Sequence, residues 1–199
     1  MKIQLENIRI IFITIGLIGV LLFASPTISL LVKLPAGQEF SELYILGPNH
    51  TLENIPFNIK ADVTYSVYLG VGNNMGSSCY YTCFVKMGNE TELLPNATLG
   101  APSPLPARYE YKSFISDGGT WEAPLTFRVN ELTFTDGTSQ LSNITINGIE
   151  LSVNQTSAWN SEKAGYYYNL FVELWIFNST LGISQYHNRF VDLFLNMTQ

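Results

Sequence analysis

The feature that most constrains this chain is an uncharged, apolar run of 23 residues near its N-terminus. The run lies between Arg9 and Lys33 and reads IIFITIGLIGVLLFASPTISLLV. A helix of this length is about 35 Å long at ~1.5 Å per residue, enough to cross a ~30 Å hydrocarbon core with some tilt. Lys2 and Arg9 precede the run, so the positive-inside rule places the N-terminus in the cytoplasm. We therefore predict a single-pass membrane anchor over residues 1–33, with its helix over about 10–32.

The same run has a competing interpretation as a cleaved secretory signal. Pro26 interrupts the apolar sequence after sixteen residues, and Thr27-Ile28-Ser29 is a candidate small-x-small cleavage site. That site is a poor match and apolar sequence continues to Val32, which favours an uncleaved anchor. Both interpretations place residues 34–199 outside the cell membrane.

Seven Asn-x-Thr sequons follow the anchor. Asn and Thr are both common in β-turns, so composition explains part of this number. Every sequon nevertheless uses Thr, and all seven lie on the side of the membrane assigned to the outside. We predict N-glycosylation at several of them. The sequon asparagines are Asn49, Asn89, Asn96, Asn143, Asn154, Asn178 and Asn196.

Beyond the anchor, short alternating runs separated by turn residues predict β-strands. Asp136-Gly137 and Asn147-Gly148 are among the turn signals, and no stretch keeps a helical period for three turns. We predict a short linker at residues 34–39 and an all-β domain over 40–199, folded as an antiparallel β-sandwich, with a closed barrel as the alternative. The predicted strands are 41–46, 61–71, 79–87, 107–115, 123–129, 144–153, 167–177 and 189–197. The segment 88–106, with two sequons and four prolines, predicts a long glycosylated surface loop.

Two rules make opposite predictions for Cys79 and Cys83, the only cysteines. An outside location favours a disulfide. Residues 79–85 alternate as a strand, however, and positions i and i+4 of a strand have Cα atoms roughly 13 Å apart, whereas a disulfide needs about 7 Å or less. We predict the strand, with Cys79, Tyr81, Cys83 and Val85 facing the core and both thiols unpaired as small buried hydrophobes.

Residues that carry chemistry are scarce. His50 and His187 each adjoin Asn in polar surroundings and are predicted to be exposed loop or strand-end residues. Glu173 shares a strand face with aromatic residues, a setting in which a carboxyl can act as an acid, but a cross-strand ion pair on an outward face is the simpler interpretation. Those aromatics, if exposed, could contact a partner or a polysaccharide. A hydrolase using Glu173 or Glu122 is the least favoured class.

No cofactor, metal or nucleic acid is predicted as a ligand. The sequence contains no zinc, phosphate-loop, EF-hand or nucleophile-elbow motif. Its pI is near 4.8 and its Lys and Arg residues form no cluster, which argues against binding to nucleic acid phosphates.

Residues 35–48, which read PAGQEFSELYILGP, resemble the opening of an archaeal membrane-protein family known as domain of unknown function 1616. The resemblance implies an archaeal, membrane-tethered, immunoglobulin-like extracellular domain with no assigned activity. Two departures matter. Family members often have several spans, whereas this chain has room for one, and the family's Asn-His-Glu turn is here Asn73-Asn74-Met75. Further similarity lies at residues 54–59, 81–85, 120–124 and 191–197.

These observations predict a non-enzymatic cell-surface module that binds a protein or another component of the envelope. The alternative is a structural subunit that assembles laterally or into a filament by adding a strand to an exposed sheet edge.

Overall fold

The computed structural model describes residues 8–20 and 38–198. The chain divides into two compact units, Met1–Glu39 and Phe40–Gln199. In the first unit, residues 8–20 form one α-helix, which overlaps the first part of the predicted anchor. The rest of the predicted anchor helix, with its candidate cleavage site, lies outside the described residues.

No helix among the described residues is both long and apolar enough to cross a membrane.

The second unit is mostly β and contains ten strands in two five-stranded sheets. Sheet A has the order β1-β3-β6-β7-β8 and sheet B the order β2-β10-β9-β4-β5. All neighbours are antiparallel except β2 and β10, which are parallel. Two separate sheets confirm the predicted sandwich rather than the closed barrel. The strands are β1 (Phe40–Leu46), β2 (Asn58–Ile59), β3 (Thr64–Asn74), β4 (Cys79–Asn89), β5 (Tyr109–Ile115), β6 (Thr120–Thr135), β7 (Thr138–Ile146), β8 (Ile149–Ala158), β9 (Tyr166–Asn178) and β10 (Ile183–Met197).

One hydrophobic core lies between the two sheets. Alternation directs every second side chain of a strand inward, as with Leu69 and Val71 of β3 or Leu170 and Val172 of β9, all buried. Burial of each such side chain stabilises the fold by about 1.5–3 kcal/mol relative to exposure. The remaining side chains of each strand form the two outer faces of the sandwich.

Two tight hairpins follow from the turn signals in the sequence. Asp136-Gly137 joins β6 to β7, and Asn147-Gly148 joins β7 to β8. All four residues have positive φ, between 44° and 80°, the geometry of type I′ turns that suits Asn-Gly and Asp-Gly. The prediction of a single strand over 144–153 is therefore wrong, because the second turn divides it.

The strand predicted around the two cysteines is confirmed as β4. Tyr81, Cys83 and Val85 belong to the core, Cys79 packs against it, and both thiols are free. Burial raises the pKa of the Cys83 thiol to about 12.

The connection between β4 and β5, residues 90–108, lies against the outer face of sheet B. Its tip is closed by a backbone bridge between Asn96 and Ala101, and Ser103 is buried beneath it. The predicted surface loop is thus present, but part of it is packed on the sheet. Phe171 of β9, which pairs with Lys86 and points outward, is also fully buried.

Candidate functional site

An open groove of about 480 Å³ lies on the outer face of sheet A. One cross-strand row forms its floor: Thr64 of β3 pairs with Arg128 of β6, Arg128 with Thr145 of β7, and Thr145 with Glu150 of β8. Thr126 adds a further hydroxyl two residues from Arg128. The groove therefore offers one cation, one anion and three hydroxyl groups on adjacent strands.

Hydrogen bonds hold one side of the Arg128 side chain in place. Its Nε donates to Asn130 Oδ1 at 3.0 Å, and the Asn130 amide nitrogen donates to Thr145 Oγ1 at 2.8 Å. Among the described residues, the two terminal guanidinium nitrogens of Arg128 have no hydrogen-bond partner. A guanidinium fixed at Nε presents a planar pair of donors, which suits a carboxylate, a phosphate or a pair of hydroxyls.

A second polar cluster on sheet A centres on Glu122. Tyr44 Oη donates to Glu122 Oε1 at 2.8 Å, and His50 Nδ1 lies 3.0 Å from Glu122 Oε2. The His50 ring stacks on Tyr68 at 3.8 Å, and His50 is exposed in a loop as predicted. Burial, followed by the hydrogen bond to Glu122, raises the pKa of Tyr44 to about 12. These contacts attach the loop after β1 to the sheet.

Glu173 forms the predicted ion pair on the outer face of sheet B, but the β4–β5 connection covers this part of the face, so the pair is buried. Lys86 Nζ lies 3.0 Å from Glu173 Oε2, and Glu173 is fully inaccessible to solvent. The backbone N–H of Ser103 donates to Glu173 Oε1 at 2.7 Å, and Trp175 Nε1 donates to Oε2 at 3.0 Å. The sequence did not show this burial, because the covering residue lies seventy positions away in the β4–β5 connection.

Glu122 and Glu173, the two carboxylates considered for a hydrolase, do not come together. Glu122 belongs to the outer face of sheet A, whereas Glu173 lies on the outer face of sheet B. The whole core separates them, so they cannot act as an acid–base pair on one substrate. Each carboxylate is instead held by hydrogen bonds within its own sheet.

His187 is half-buried, which corrects the prediction of an exposed residue. It lies in a bulge of β10, with Nε2 at 2.9 Å from the hydroxyl of Ser41 in β1. Ser41 Oγ is 2.6 Å from Tyr81 Oη, which donates to Asn73 Oδ1 at 3.0 Å. Burial, and then the nearby Arg189, lowers the pKa of His187.

The direction of these hydrogen bonds argues against a nucleophilic serine. Tyr81 has a single hydroxyl proton and gives it to Asn73, so Ser41 must donate to Tyr81. With its only proton used, the Ser41 hydroxyl must accept a hydrogen bond from His187 Nε2. A catalytic base would need Nε2 to accept the serine proton instead. The direction of the His187–Ser41 hydrogen bond therefore indicates a structural role for this network.

None of the seven sequon asparagines is buried. Four are half-buried, with side chains partly engaged in the fold: Asn89, Asn143, Asn178 and Asn196. The other three, Asn49, Asn96 and Asn154, are exposed.

The hydrogen bonds of the sequon asparagines show which of them are less accessible as glycosylation sites. The Asn89 amide nitrogen donates to Thr156 O at 2.8 Å, and that of Asn196 donates to Asn58 Oδ1 at 3.0 Å. A glycan is attached through this nitrogen. Asn143 is also half-buried, and its amide nitrogen donates to Glu131 Oε2 at 3.1 Å. Asn89, Asn143 and Asn196 are therefore the least accessible acceptors in the folded domain.

Residues 34–142 match the family described as domain of unknown function (DUF1616). The chain belongs to this family. The matched segment includes β1 to β6 and the first five residues of β7, and with them Arg128 and Asn73. No curated protein sequence matches the chain.

Several solved structures share a distant similarity of fold. A β-glucosidase from Listeria innocua in complex with glucose aligns at 9% identity and a TM-score of 0.40, covering 81% of this chain but only 16% of the glucosidase. The C-terminal domain of wzt aligns at 8% identity and 0.35, covering 82% and 80%. A PapD-like domain of human CEP192 aligns at 6% identity and 0.30, covering 79% and 84%. All these TM-scores are low, and the similarities assign no function to this chain.

Two functional features were missed in the sequence. Arg128 lies in the middle of β6, where Thr126, Arg128 and Asn130 alternate with apolar residues. This alternation was the available signal for an outward polar row. Asn73 has no comparable signal. It is fully buried and uses both its amide nitrogen and its oxygen, with partners from Met75 to Ile115.

Proposed function

We propose that this protein is a membrane-anchored, N-glycosylated cell-surface module that binds a polar partner in the envelope without catalysing a reaction. In this proposal the β unit is an immunoglobulin-like sandwich, and residues 34–199, which include it, lie outside the membrane. The observation that carries the proposal is the groove around Arg128. A partly fixed guanidinium beside Thr64 and Thr145, with Glu150 on the strand beyond Thr145, presents a cation, an anion and hydroxyl groups to a polar surface.

The anchor rests on the uncharged run over 10–32 and on the basic residues that precede it. The helix at 8–20 supports this part of the proposal. Glycosylation is best supported at Asn49 and Asn96, which are exposed and whose amide nitrogens have no hydrogen-bond partner among the described residues.

Binding is favoured over assembly by strand addition because the edge strand β8 is partly capped. Arg108 donates from its two terminal nitrogens to the carbonyl oxygens of Ser152 and Val153, at 2.9 and 3.3 Å. Asn154, at a bulge in this strand, has a positive φ of 53°. Capped carbonyls and bulges are the usual means by which a sheet edge is protected against another strand.

The other edges are also poor templates. β5 carries the charged pair Glu110 and Lys112 on its exposed face, and β2 has only two residues. Ser41 O in β1 accepts a hydrogen bond from Arg189 Nε at 3.3 Å. Charge, shortness and capping each disfavour edge-to-edge pairing.

The test is a binding measurement with a matched pair of variants. Three full-length proteins are prepared in detergent: the unmodified protein, Arg128→Gln and Lys112→Gln. Each is titrated onto envelope material isolated from cells that lack the protein. Both changes remove one cation from an outer face of the domain, but only Arg128 lies in the groove. We expect Arg128→Gln to weaken binding about tenfold or more, a loss of ~1.4 kcal/mol or greater, and Lys112→Gln to bind like the unmodified protein.

Equal binding by the two variants and the unmodified protein would remove the groove as the contact surface. Turnover of any envelope component that persists in the unmodified protein and is lost in Glu122→Gln or Glu173→Gln would contradict the non-enzymatic assignment.

A further inference from the structure

A row of exposed apolar side chains crosses the outer face of sheet B at one end of the sandwich. Tyr80 of β4 pairs directly with Phe114 of β5, and Phe177 of β9 continues the row. The turn after β9 adds Leu181. Ile183, the first residue of β10, adds an exposed side chain at the rim of the same end, on the other side of the sheet from Phe177 because it pairs with Asn178. We call these five residues the apolar shoulder. Phe114 is 71% exposed, Leu181 62% and Ile183 54%.

This grouping distinguishes the shoulder from the other exposed apolar side chains. Single exposed residues such as Leu52 and Leu99 are ordinary on a protein surface. A contiguous apolar patch on adjacent strands usually marks an interaction surface.

The shoulder lies at the end of the sandwich where the chain enters. β1 begins at Phe40, which pairs with Asn74 at the end of β3, and β4 starts a few residues later at the same end. Arg189 and His187 of β10 contact Ser41, so the start of β10 is next to the entry point.

The length of the linker limits how far this end can be from the membrane. Residues 34–39 number six, which span at most ~20 Å when fully extended. If the proposed anchor ends at Lys33, the end of the domain that carries the shoulder is held close to the bilayer surface. The opposite end of the domain lies about 36 Å from this end, the length of an 11-residue strand such as β4.

We propose that the apolar shoulder inserts into the interfacial region of the bilayer that holds the anchor. This inference rests on the anchor of the proposed function. It leaves the Arg128 groove, which lies near the start of β3 at the opposite end, free for a partner. Phe, Leu and Ile side chains are those that gain most from burial in the headgroup–acyl boundary.

The charge of the domain indicates apolar insertion and not attraction to anionic lipid. The chain has ten Lys and Arg residues against sixteen Asp and Glu residues. Residues 1–33 contain three basic residues and one acidic residue. Residues 34–199 therefore contain seven basic and fifteen acidic residues. An acidic domain is repelled by an anionic surface, so docking should be at least as strong on zwitterionic lipid.

Tryptophan quenching in the full chain tests this contact. Phe114→Trp places a probe in the shoulder, and Phe57→Trp places one at an exposed site near β2, at the opposite end. Each variant is reconstituted into phosphatidylcholine vesicles with or without brominated acyl chains. The signal of the three native Trp residues is subtracted by using the unmodified protein.

We expect brominated lipid to lower the emission of the Phe114→Trp probe about twofold or more and to leave the Phe57→Trp probe unchanged, because only the first lies in the acyl boundary. Replacing half of the lipid with phosphatidylglycerol should not increase this quenching. An increase would contradict insertion driven by apolar contact.

An alkaline carbonate wash distinguishes failure of the proposed anchor from failure of the proposed docking. Release of the protein from the vesicles would overturn the anchor itself. A retained protein whose Phe114→Trp probe is quenched no more than Phe57→Trp would leave the anchor standing and overturn the docking. A Phe114→Trp emission that shifts with protein concentration, without bromine quenching, would assign the shoulder to a second copy of the chain and also overturn it.

Discussion

Lys86 Nζ lies 3.0 Å from Glu173 Oε2, and both side chains are almost fully buried on the outer face of sheet B. The pair also holds the covering connection, since Lys86 Nζ donates to Ser103 O at 2.7 Å and Glu173 Oε1 accepts from Ser103 N. Neither charge can lose its partner and regain water without displacing the residues that cover it. The pair therefore fixes part of the β4–β5 connection to the sheet.

Glu173→Gln should lower the free energy of unfolding by about 3–5 kcal/mol, because it leaves the Lys86 charge buried without a counter-charge. Adding Lys86→Met should recover part of this loss. Guanidinium unfolding of the full chain in detergent, followed by near-ultraviolet circular dichroism, measures both. Lys112→Met, which breaks an exposed pair with Glu110, is the control and should change little. A double variant no more stable than Glu173→Gln would contradict the account.

Two tyrosine hydroxyls of similar burial should respond in opposite directions. Tyr81→Phe removes the link between Ser41 and Asn73 and should cost about 1–3 kcal/mol of stability. Tyr186 Oη is buried with no hydrogen-bond partner among the described residues, so Tyr186→Phe should be neutral or stabilising. Thermal unfolding of the two variants in parallel measures the difference, and a similar loss in both would show that the Ser41 network does not stabilise the fold.

Stability should fall as the pH is lowered from about 7. The pKa of His187 is lower in the folded domain than its ordinary value of 6.5, so the unfolded chain binds the proton more readily. The stabilisation from neutral His187 is therefore complete above pH 6.5 and is lost as the pH falls toward the folded pKa. His187→Gln retains a donor for Ser41 without titrating, and its stability should vary less between pH 7 and 5. An identical pH profile in both proteins would exclude His187 as the cause.

The two thiols should differ in reactivity. Cys79 is half-buried, whereas Cys83 is buried and burial raises its pKa to about 12, which keeps the reactive thiolate scarce. A thiol reagent should modify Cys79 faster in the native protein, and both residues after unfolding without a reductant. Mass spectrometry gives the result directly. Failure of the unfolded, unreduced protein to react would show that the cysteines are joined.

The parts of the fold that depend on neighbouring residues could be predicted from the sequence. The Asp136-Gly137 and Asn147-Gly148 turns require positive φ at both positions, and the residue types themselves carry that requirement. The two-residue strand β2 could not be predicted, because it is too short to alternate and forms only by pairing with the distant end of β10. The predicted strand 144–153 is in fact two strands, although the Asn147-Gly148 turn that divides it was evident in the sequence.

The candidate site was less predictable because it depends on which strands become neighbours. The row from Thr64 to Glu150 joins four strands, and no local pattern gives their register. The same reason explains Glu173, whose ion pair could be anticipated but whose cover by Ser103 could not. His187 appeared exposed from its polar sequence neighbours, and its burial results from the approach of β1.

We propose that residues 34–199 form a domain displayed outside a membrane that the N-terminal run crosses. Labelling of intact cells with a membrane-impermeant amine reagent, followed by peptide mass spectrometry, tests it most directly. Lys60, Lys112 and Lys163 are exposed on the domain, whereas Lys2 precedes the proposed anchor. The account predicts modification of the three domain lysines in intact cells and of Lys2 only after lysis. Modification of the domain lysines only after lysis would contradict it.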